Sequence, residues 1–491
     1  MYIKLKSNVL FRNYKSFGYI TDNRNFGYTP IDSYDSYIGD KITSESGAVF
    51  LSVLSKIPQS IDRLTEQVFK LYPDVPINTI KRDLIEFYNY MEQEGFLVMG
   101  KTALECEKND VKFSYKSIDP KDIGREINSN TQQIKKETHS FFKEYFKGEP
   151  QLTSLHIEIT SKCNERCIHC FIPHEDKTFE IDVELFYDII RQCKDMNVLH
   201  LTLSGGEPML HRYFCDFLRK CKEYDFSINI LSNLTLLDDE ITKEMQANPL
   251  LSVQVSLYSM NPDIHDEITQ IKGSFEKTKN AILKLIENNI PLQISCPVMK
   301  QNKDCYKDVI LWANQHKIKT GEDFVIIARY NNTKQNLDCR LSINELVKIT
   351  KDKITYNPDY IKQVEVEAEK KKNTKGDDFI CTVCNYSICI SDNGNVFPCV
   401  GWHSYIVGDI KKTPLIEIWR NSIKVKYLRS IRHKDFPDCI KCRDREYCTI
   451  CMVRNANESP VGNPFAVNKY FCDIAKLNRK MADDWNKNQS K

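Results

Sequence analysis

Three cysteines stand close together in the run TSKCNERCIHCF: Cys163, Cys167 and Cys170, spaced C-x3-C-x2-C. Thiolate is the soft side-chain ligand, so short-spaced thiols converge on zinc or iron. Four would complete a zinc site or an iron–sulfur cube, whereas three leave one metal position open to a ligand the chain does not supply. A reactive site needs such an opening and a structural site avoids it. The same spacing also fits a structural zinc completed by His169 or His174. Nine more cysteines crowd the last quarter of the chain: Cys381, Cys384, Cys389, Cys399, Cys439, Cys442, Cys448, Cys451 and Cys472. That density predicts a small domain that folds around metal. The other seven (Cys106, Cys193, Cys215, Cys221, Cys296, Cys305 and Cys339) are isolated and read as small buried hydrophobes.

The chain that carries these nineteen thiols has 491 residues, with 69 Lys+Arg against 67 Asp+Glu. It is 28% charged and 41% hydrophobic, the make-up of a folded protein of two to four domains. A net charge of +2 gives no global attraction to nucleic acid or an anionic membrane. No apolar run has the length of a spanning helix, and the start MYIKLKSNVLFRNYK lacks the apolar stretch of a secretory signal. A cytoplasmic, reducing location is therefore expected, where the cysteines do not form a disulfide framework.

The elements that must position the first three thiols begin at residue 154. Apolar runs LHIEIT, LHLTLSGG, SINILSN, VQVSLYS, LQISCPV and FVIIARY read as strands. Amphipathic stretches such as VELFYDIIRQCKDM and FEKTKNAILKLIENN alternate with them. Six βα units over residues 151–345 predict an α/β fold with a parallel sheet, either open or curled into a partial TIM-like barrel. Ligands of such sheets bind at the carboxyl ends of the strands. Cys163–Cys170 follow the first strand, Gly205-Gly206-Glu207-Pro208 the second, Ser232-Asn233 the third, and Ser256 closes the fourth. All fall on one rim. The charged run VEVEAEKKKNTKGDD makes 346–378 a bridging segment, read as linker or exposed helix, before the cysteine-dense region 379–491.

Residues 1–100 read as a separate α+β unit. Phe17–Thr21 and Phe26–Thr29 flank a turn and predict a hairpin, and Ser44 or Ser46 can cap a helix over AVFLSVLSKI. IDRLTEQVFKLY and INTIKRDLIEFYNYMEQEG follow as helices, and FLVM as a strand. The order predicts a winged-helix shape. It holds 11 Lys+Arg against 12 Asp+Glu, without the basic stripe of a DNA reader. Residues 101–150 are polar and helix-prone, a helical connector.

C-x3-C-x2-C after the first strand and GGEP after the second resemble the signature of the radical S-adenosylmethionine (radical SAM) superfamily. That resemblance implies a [4Fe–4S] cluster on Cys163, Cys167 and Cys170, with SAM at its fourth iron. It implies further SAM contacts from Gly205, Gly206, Glu207, Asn233 and Ser256, with Glu207 accepting from the SAM ammonium and His169 packing rather than ligating. The C-terminal region resembles a SPASM domain: Cys384, Gly394 and Cys399 fit C-x9-G-x4-C, and Cys439, Cys442 and Cys448 fit C-x2-C-x5-C. Two auxiliary [4Fe–4S] clusters are implied, making three in all. One takes Cys439, Cys442, Cys448 and Cys472; the other takes Cys399, Cys451 and one or two of Cys381, Cys384 and Cys389, so that a thiol is surplus or an iron is left open for substrate, with Cys381 and Cys384 preferred over the strand residue Cys389. Cys448 to Cys451 is C-x2-C where that family has C-x3-C.

Residues 1–100 are similar in shape to a RiPP recognition element, the winged-helix module that captures precursor peptides by strand addition. The implied groove lies between the Tyr19–Tyr28 hairpin and the 77–94 helix. Together these resemblances imply a peptide maturase that joins a cysteine sulfur to carbon through a 5′-deoxyadenosyl radical, fed electrons by a donor such as flavodoxin or ferredoxin. Carbon–carbon crosslinking (Lys to Trp) and epimerisation, with Cys296 or Cys305 as hydrogen donor, are the alternatives within the class. A zinc-stabilised, winged-helix DNA-binding regulator is the alternative outside it.

Overall fold

A computed structural model describes residues 1–23, 39–110, 142, 145–356 and 359–489. Six strands run parallel in sequence order: β7 (Ser154–Thr160), β8 (His200–Gly205), β9 (Ser227–Ser232), β10 (Leu251–Ser256), β11 (Leu292–Pro297) and β12 (Lys319–Asp323). Strand alternation divides their side chains. Leu155, Ile157, Leu201, Leu203, Ile228 and Ile230 are among those turned into the apolar core beneath the helices. The opposite set, with His156, Glu158, Thr202, Ser204 and Gln254, is polar. A polar lumen suits a barrel that holds a ligand rather than one plugged by its own side chains.

The sixth strand differs from expectation. Lys319–Asp323 pairs with β11, while FVIIARY (324–330) runs as irregular chain toward the rim. Its backbone is held by side chains instead of a ladder. Arg340 donates to the Ile326 carbonyl, Asn336 to Ile327 at 2.8 Å, and Asn457 to Ala328 at 3.2 Å. Of the two readings of the bridging segment 346–378, the structure shows helix rather than linker: Ile343–Tyr356 and Asp359–Lys372 occupy most of it, the second largely exposed but with Ile361 and Ala368 buried.

The cysteine-dense region continues the barrel sheet. β13 (Ser387–Ile390) pairs in parallel with β7, Cys389 opposite His156, and β14 (Asn395–Phe397) and β15 (Gly408–Asp409) extend it antiparallel. The turn after β13 is thereby held beside the first barrel strand.

The N-terminal unit has two three-stranded sheets. β1 (Tyr2–Leu5) pairs with β5 (Gln59–Ser60) and β6 (Leu97–Gly100), and β3 (Gly18–Thr21) lies between β2 (Leu10–Asn13) and β4 (Asp40–Thr43). Helices Glu45–Ser52, Ile61–Leu71 and Ile77–Gln93 pack over them, the first capped by Ser44. The expected hairpin is corrected: β2 and β4 take both edges of β3, and Phe26–Thr29, with Tyr28, falls outside the described residues. Tyr19 is fully buried, packed on Phe142.

This unit docks where the barrel strands begin, opposite the rim. Arg12, 3% exposed, donates to the Val198 carbonyl at 3.2 Å and the Asp225 carbonyl at 2.7 Å, just before β8 and β9. Truncating it leaves those buried acceptors without a donor, so Arg12→Ala should cost about 3 kcal/mol. Urea unfolding should show the loss, with earlier proteolytic release of the N-terminal unit. A cost under about 0.5 kcal/mol, the range of an ordinary surface change, would mean the contact is incidental.

Candidate iron–sulfur and SAM-binding site

The cysteine loop is fixed to three neighbouring strand ends. Thr160 closes β7, and its carbonyl accepts from Gly206 N–H at 2.7 Å, while the Lys162 carbonyl accepts from Glu207 N–H at 2.8 Å. Asn164, between the first two cysteines, accepts from Asn233 Nδ2 at 2.9 Å and donates to Thr235 Oγ1 at 2.7 Å. The Arg166 and Ile168 amides donate to the Thr269 and Ile268 carbonyls. Cys163, Cys167 and Cys170 are each partly buried on this loop. Burial pushes the Cys163 thiol up to about 11 and raises Cys167 further, with Glu165 the next cause.

His169 is not turned into the role of a fourth ligand. Its ring stands edge-on to Tyr258, with Nε2 3.4 Å from that hydroxyl, and burial lowers its pKa to about 4. Tyr258 itself is buried, and its hydroxyl also reaches Ser256 and Cys167. With His169 so engaged, Cys163, Cys167 and Cys170 are the thiols this loop offers, a donor set that fits a SAM-binding cluster.

Glu207 already has three partners within the chain. It is fully buried, and its carboxylate accepts from Met209 N–H at 3.0 Å, Ser232 Oγ at 2.8 Å and Asn233 N–H at 2.8 Å. Burial pushes its pKa up to about 7 while those three donors oppose the rise. It ties the ends of β8 and β9 together. The two glycines likewise serve the loop: a Cβ on Gly205 would overlap the Thr160 carbonyl oxygen, and one on Gly206 the Lys162 carbonyl oxygen. Tight packing between the GGEP loop and the cysteine loop is what requires them.

Cys439, Cys442, Cys448 and Cys472 line one cavity of about 430 Å³. That is room for a four-iron cube with its sulfides, and it supplies one thiol for each iron. The other thiols gather less tightly. Burial pushes Cys384 and Cys399 each up to about 12, and Cys381 is an electrostatic neighbour of both, as Cys451 is of Cys399. Cys384 holds a left-handed φ of 58°, a cost that persists where surrounding structure over-determines it. Cys389 faces the barrel interior, beside Glu158 and Cys399. Among the described residues no three His, Cys, Asp or Glu stand at single-ion spacing.

Of the isolated cysteines, Cys106, Cys193, Cys221, Cys296 and Cys339 are buried, and Cys215 and Cys305 partly so. No described helix is long and apolar enough to cross a membrane. The sequence pointed to the thiols and GGEP, but not to Asn164 or Tyr258, whose partners are far along the chain. A cavity of about 1180 Å³ lies between the Asn13–Lys15 turn and Trp419 and includes none of the thiols.

Residues 157–313 match the radical SAM superfamily and residues 381–444 match SPASM, an iron–sulfur cluster-binding domain. The chain is 26% identical over 331 residues to the tungsten-containing aldehyde ferredoxin oxidoreductase cofactor-modifying protein of Pyrococcus furiosus, covering 60% of this chain and 88% of that one. It is 24% identical over 320 residues to the AdoMet-dependent heme synthase of Methanosarcina barkeri, covering 60% and 90%. Among solved structures, Streptococcus suis SuiB bound to precursor peptide SuiA superposes with a TM-score of 0.60 at 16% identity, covering 96% of this chain and 100% of that one. At that identity the likeness is one of fold.

Proposed function

From a chain that belongs to the radical SAM superfamily and carries a SPASM domain, we infer a maturase of a ribosomally made peptide. The observation that carries this is the extent of the SuiB-like fold. At 96% coverage it must include most of the N-terminal unit, whereas the cofactor-modifying protein and the heme synthase each match only 60% of the chain. That unit is the part a small-molecule enzyme would not need.

A [4Fe–4S] cluster on Cys163, Cys167 and Cys170 with bound SAM supplies a radical able to take a hydrogen atom from an unactivated carbon. The chain's own part is to hold that group on the rim and to bring the peptide to it. Asn164, Glu207 and Asn233 fix the loop to the strand ends. Cys439, Cys442, Cys448 and Cys472, and the set Cys381, Cys384, Cys399 and Cys451, would hold the auxiliary clusters, with Cys389 outside both. For a thioether product the peptide loses two hydrogens. One would leave as an atom from carbon and the thiol hydrogen as a proton; the remaining electron needs an acceptor, which a cluster held by these C-terminal cysteines would supply. A flavodoxin or ferredoxin would supply the starting electron. Cys296 packs in the core beneath the helices, which supports oxidation over epimerisation by that thiol.

The leader-binding edge is revised from the sequence expectation. Among the described residues β4 pairs only with β3, and it runs beside the third helix, where Lys41 reaches Glu94 at 2.6 Å and lies over the Tyr90 ring. A leader strand would add to β4.

The test is anaerobic reaction with any short peptide found encoded beside this gene, followed by mass spectrometry and thiol alkylation. Thioether formation predicts the loss of two hydrogens per bond and one alkylatable cysteine fewer. The same loss with every cysteine still alkylated would mean a carbon–carbon bond. Unchanged mass would sink the oxidative reading.

A further inference from the structure

A cavity of about 200 Å³ lies where the barrel's first strand meets the turn after β13. It is bounded by Glu158 and Gly205 from the barrel, Asp176 and Tyr330 from rim segments, and Asp392 and His403 from the C-terminal domain. Three carboxylates thus face it, and no lysine or arginine lines it among the described residues. Two of the three are engaged. His403 Nε2 lies 2.8 Å from Glu158 Oε2, an ion-pair distance although not aligned as a hydrogen bond. The Tyr330 hydroxyl donates to Asp176 Oδ2 at 2.9 Å.

Asp392 is different. It is 8% exposed, Ser161 and the Asn393 amide hydrogen-bond to it, and its Oδ2 is buried with no partner. A buried carboxylate oxygen without a donor is costly, and sites that keep one usually receive the donor from a ligand or water. The wall around it is rigid. His403 is clamped between the rings of Tyr330 and Phe397, 4.5 Å and 4.3 Å from centroid to centroid and nearly parallel to both.

On the premise that the substrate is a peptide, we propose that this cavity receives a cationic side chain of it, lysine or arginine, through Asp392 and Glu158. Volume and charge decide between occupants. A water claims about 30 Å³ of liquid, and pockets for drug-sized molecules start near 300 Å³. The cavity therefore fits one side chain and neither a tetrapyrrole nor a nucleotide. Three carboxylates against one imidazole leave it negative, so a cation is held where a neutral amide is not. Gly205 and Thr160 belong both to this cavity and to the packing of the cysteine loop. A side chain anchored by its charged end thus lays its methylenes along the reactive rim.

The experiment uses the full chain, reconstituted anaerobically, and two probes: N-acetyl-lysine methylamide and its neutral isostere N-acetyl-norleucine methylamide. Binding is followed by saturation-transfer NMR titration. The lysine probe should bind at least tenfold more tightly, Asp392→Asn should erase that preference, and Asp392→Glu should keep most of it. Equal binding of the two probes, binding of neither, or a preference that survives Asp392→Asn would overturn the site. In the probe-free protein, Asp392→Asn should melt no lower than wild type; a lower melting temperature would mark Asp392 as a structural acceptor and remove the proposal. No turnover is required. The peptide reading fails on peptide mass, and this one fails on probe binding.

Discussion

Cys167→Ala should abolish reductive cleavage of SAM, lowering 5′-deoxyadenosine formation at least ~10³-fold, and should reduce bound iron from about twelve to about eight per chain. The size of the effect follows from the loop's chemistry. In the proposed cluster each of the three thiols would hold a separate iron, and among the described residues no side chain beside Cys167 is suited to replace it. Glu165 accepts from the Cys167 thiol at 3.4 Å but offers a hard carboxylate oxygen. His169 is committed to Tyr258. The auxiliary thiols lie in the C-terminal domain, and four of them share their own cavity. Iron should therefore fall by one cube and no more. Iron analysis, electron paramagnetic resonance after dithionite reduction, and chromatography of 5′-deoxyadenosine check the three parts separately. Retained cleavage in the variant would remove Cys167 from the cluster. A colourless, zinc-only preparation of the parent protein would restore the regulator reading.

What the sequence made legible was whatever depends on local spacing. The cysteine loop, the GGEP turn and five of six barrel strands announce themselves through intervals of a few residues or through apolar alternation. The sixth strand does not. KTGED has no apolar alternation, because an edge strand on a polar lumen has little to bury. FVIIARY is a continuous apolar run that reads as a strand, but it lends its carbonyls to Arg340, Asn336 and Asn457. The acidic cavity was illegible for a further reason. Glu158, Asp392 and His403 are brought together only by the parallel pairing of β13 with β7, a contact between segments more than two hundred residues apart. Glu207 shows a subtler limit: its position was legible, while its partners, Met209, Ser232 and Asn233, were not.

The second large effect belongs to Gly205. Its φ of 143° lies in a region that side-chain-bearing residues rarely adopt, and a Cβ there would meet the Thr160 carbonyl oxygen well inside contact distance. The obstacle is backbone, so no rotamer change relieves it. The end of β8 must move away from β7, which breaks the bonds from Gly206 N–H to Thr160 and from Glu207 N–H to Lys162. Glu207 then shifts as well, exposing three donors that now share one buried carboxylate. Strain of about 1–3 kcal/mol and the lost buried hydrogen bonds together put Gly205→Ala at 4 kcal/mol or more, about the upper end of single substitutions. Gly148→Ala provides the contrast, since φ is +82° there but no atom of the described residues lies within 4 Å of the new Cβ. It should cost about 1 kcal/mol from backbone strain alone. Anaerobic urea unfolding of both variants separates the two causes. Similar losses at Gly205 and Gly148 would show that backbone strain, not the approach of β8 to the cysteine loop, is what the glycine serves. The expected order, with SAM binding lost only in Gly205→Ala, would tie the glycine to the geometry of the cluster loop itself.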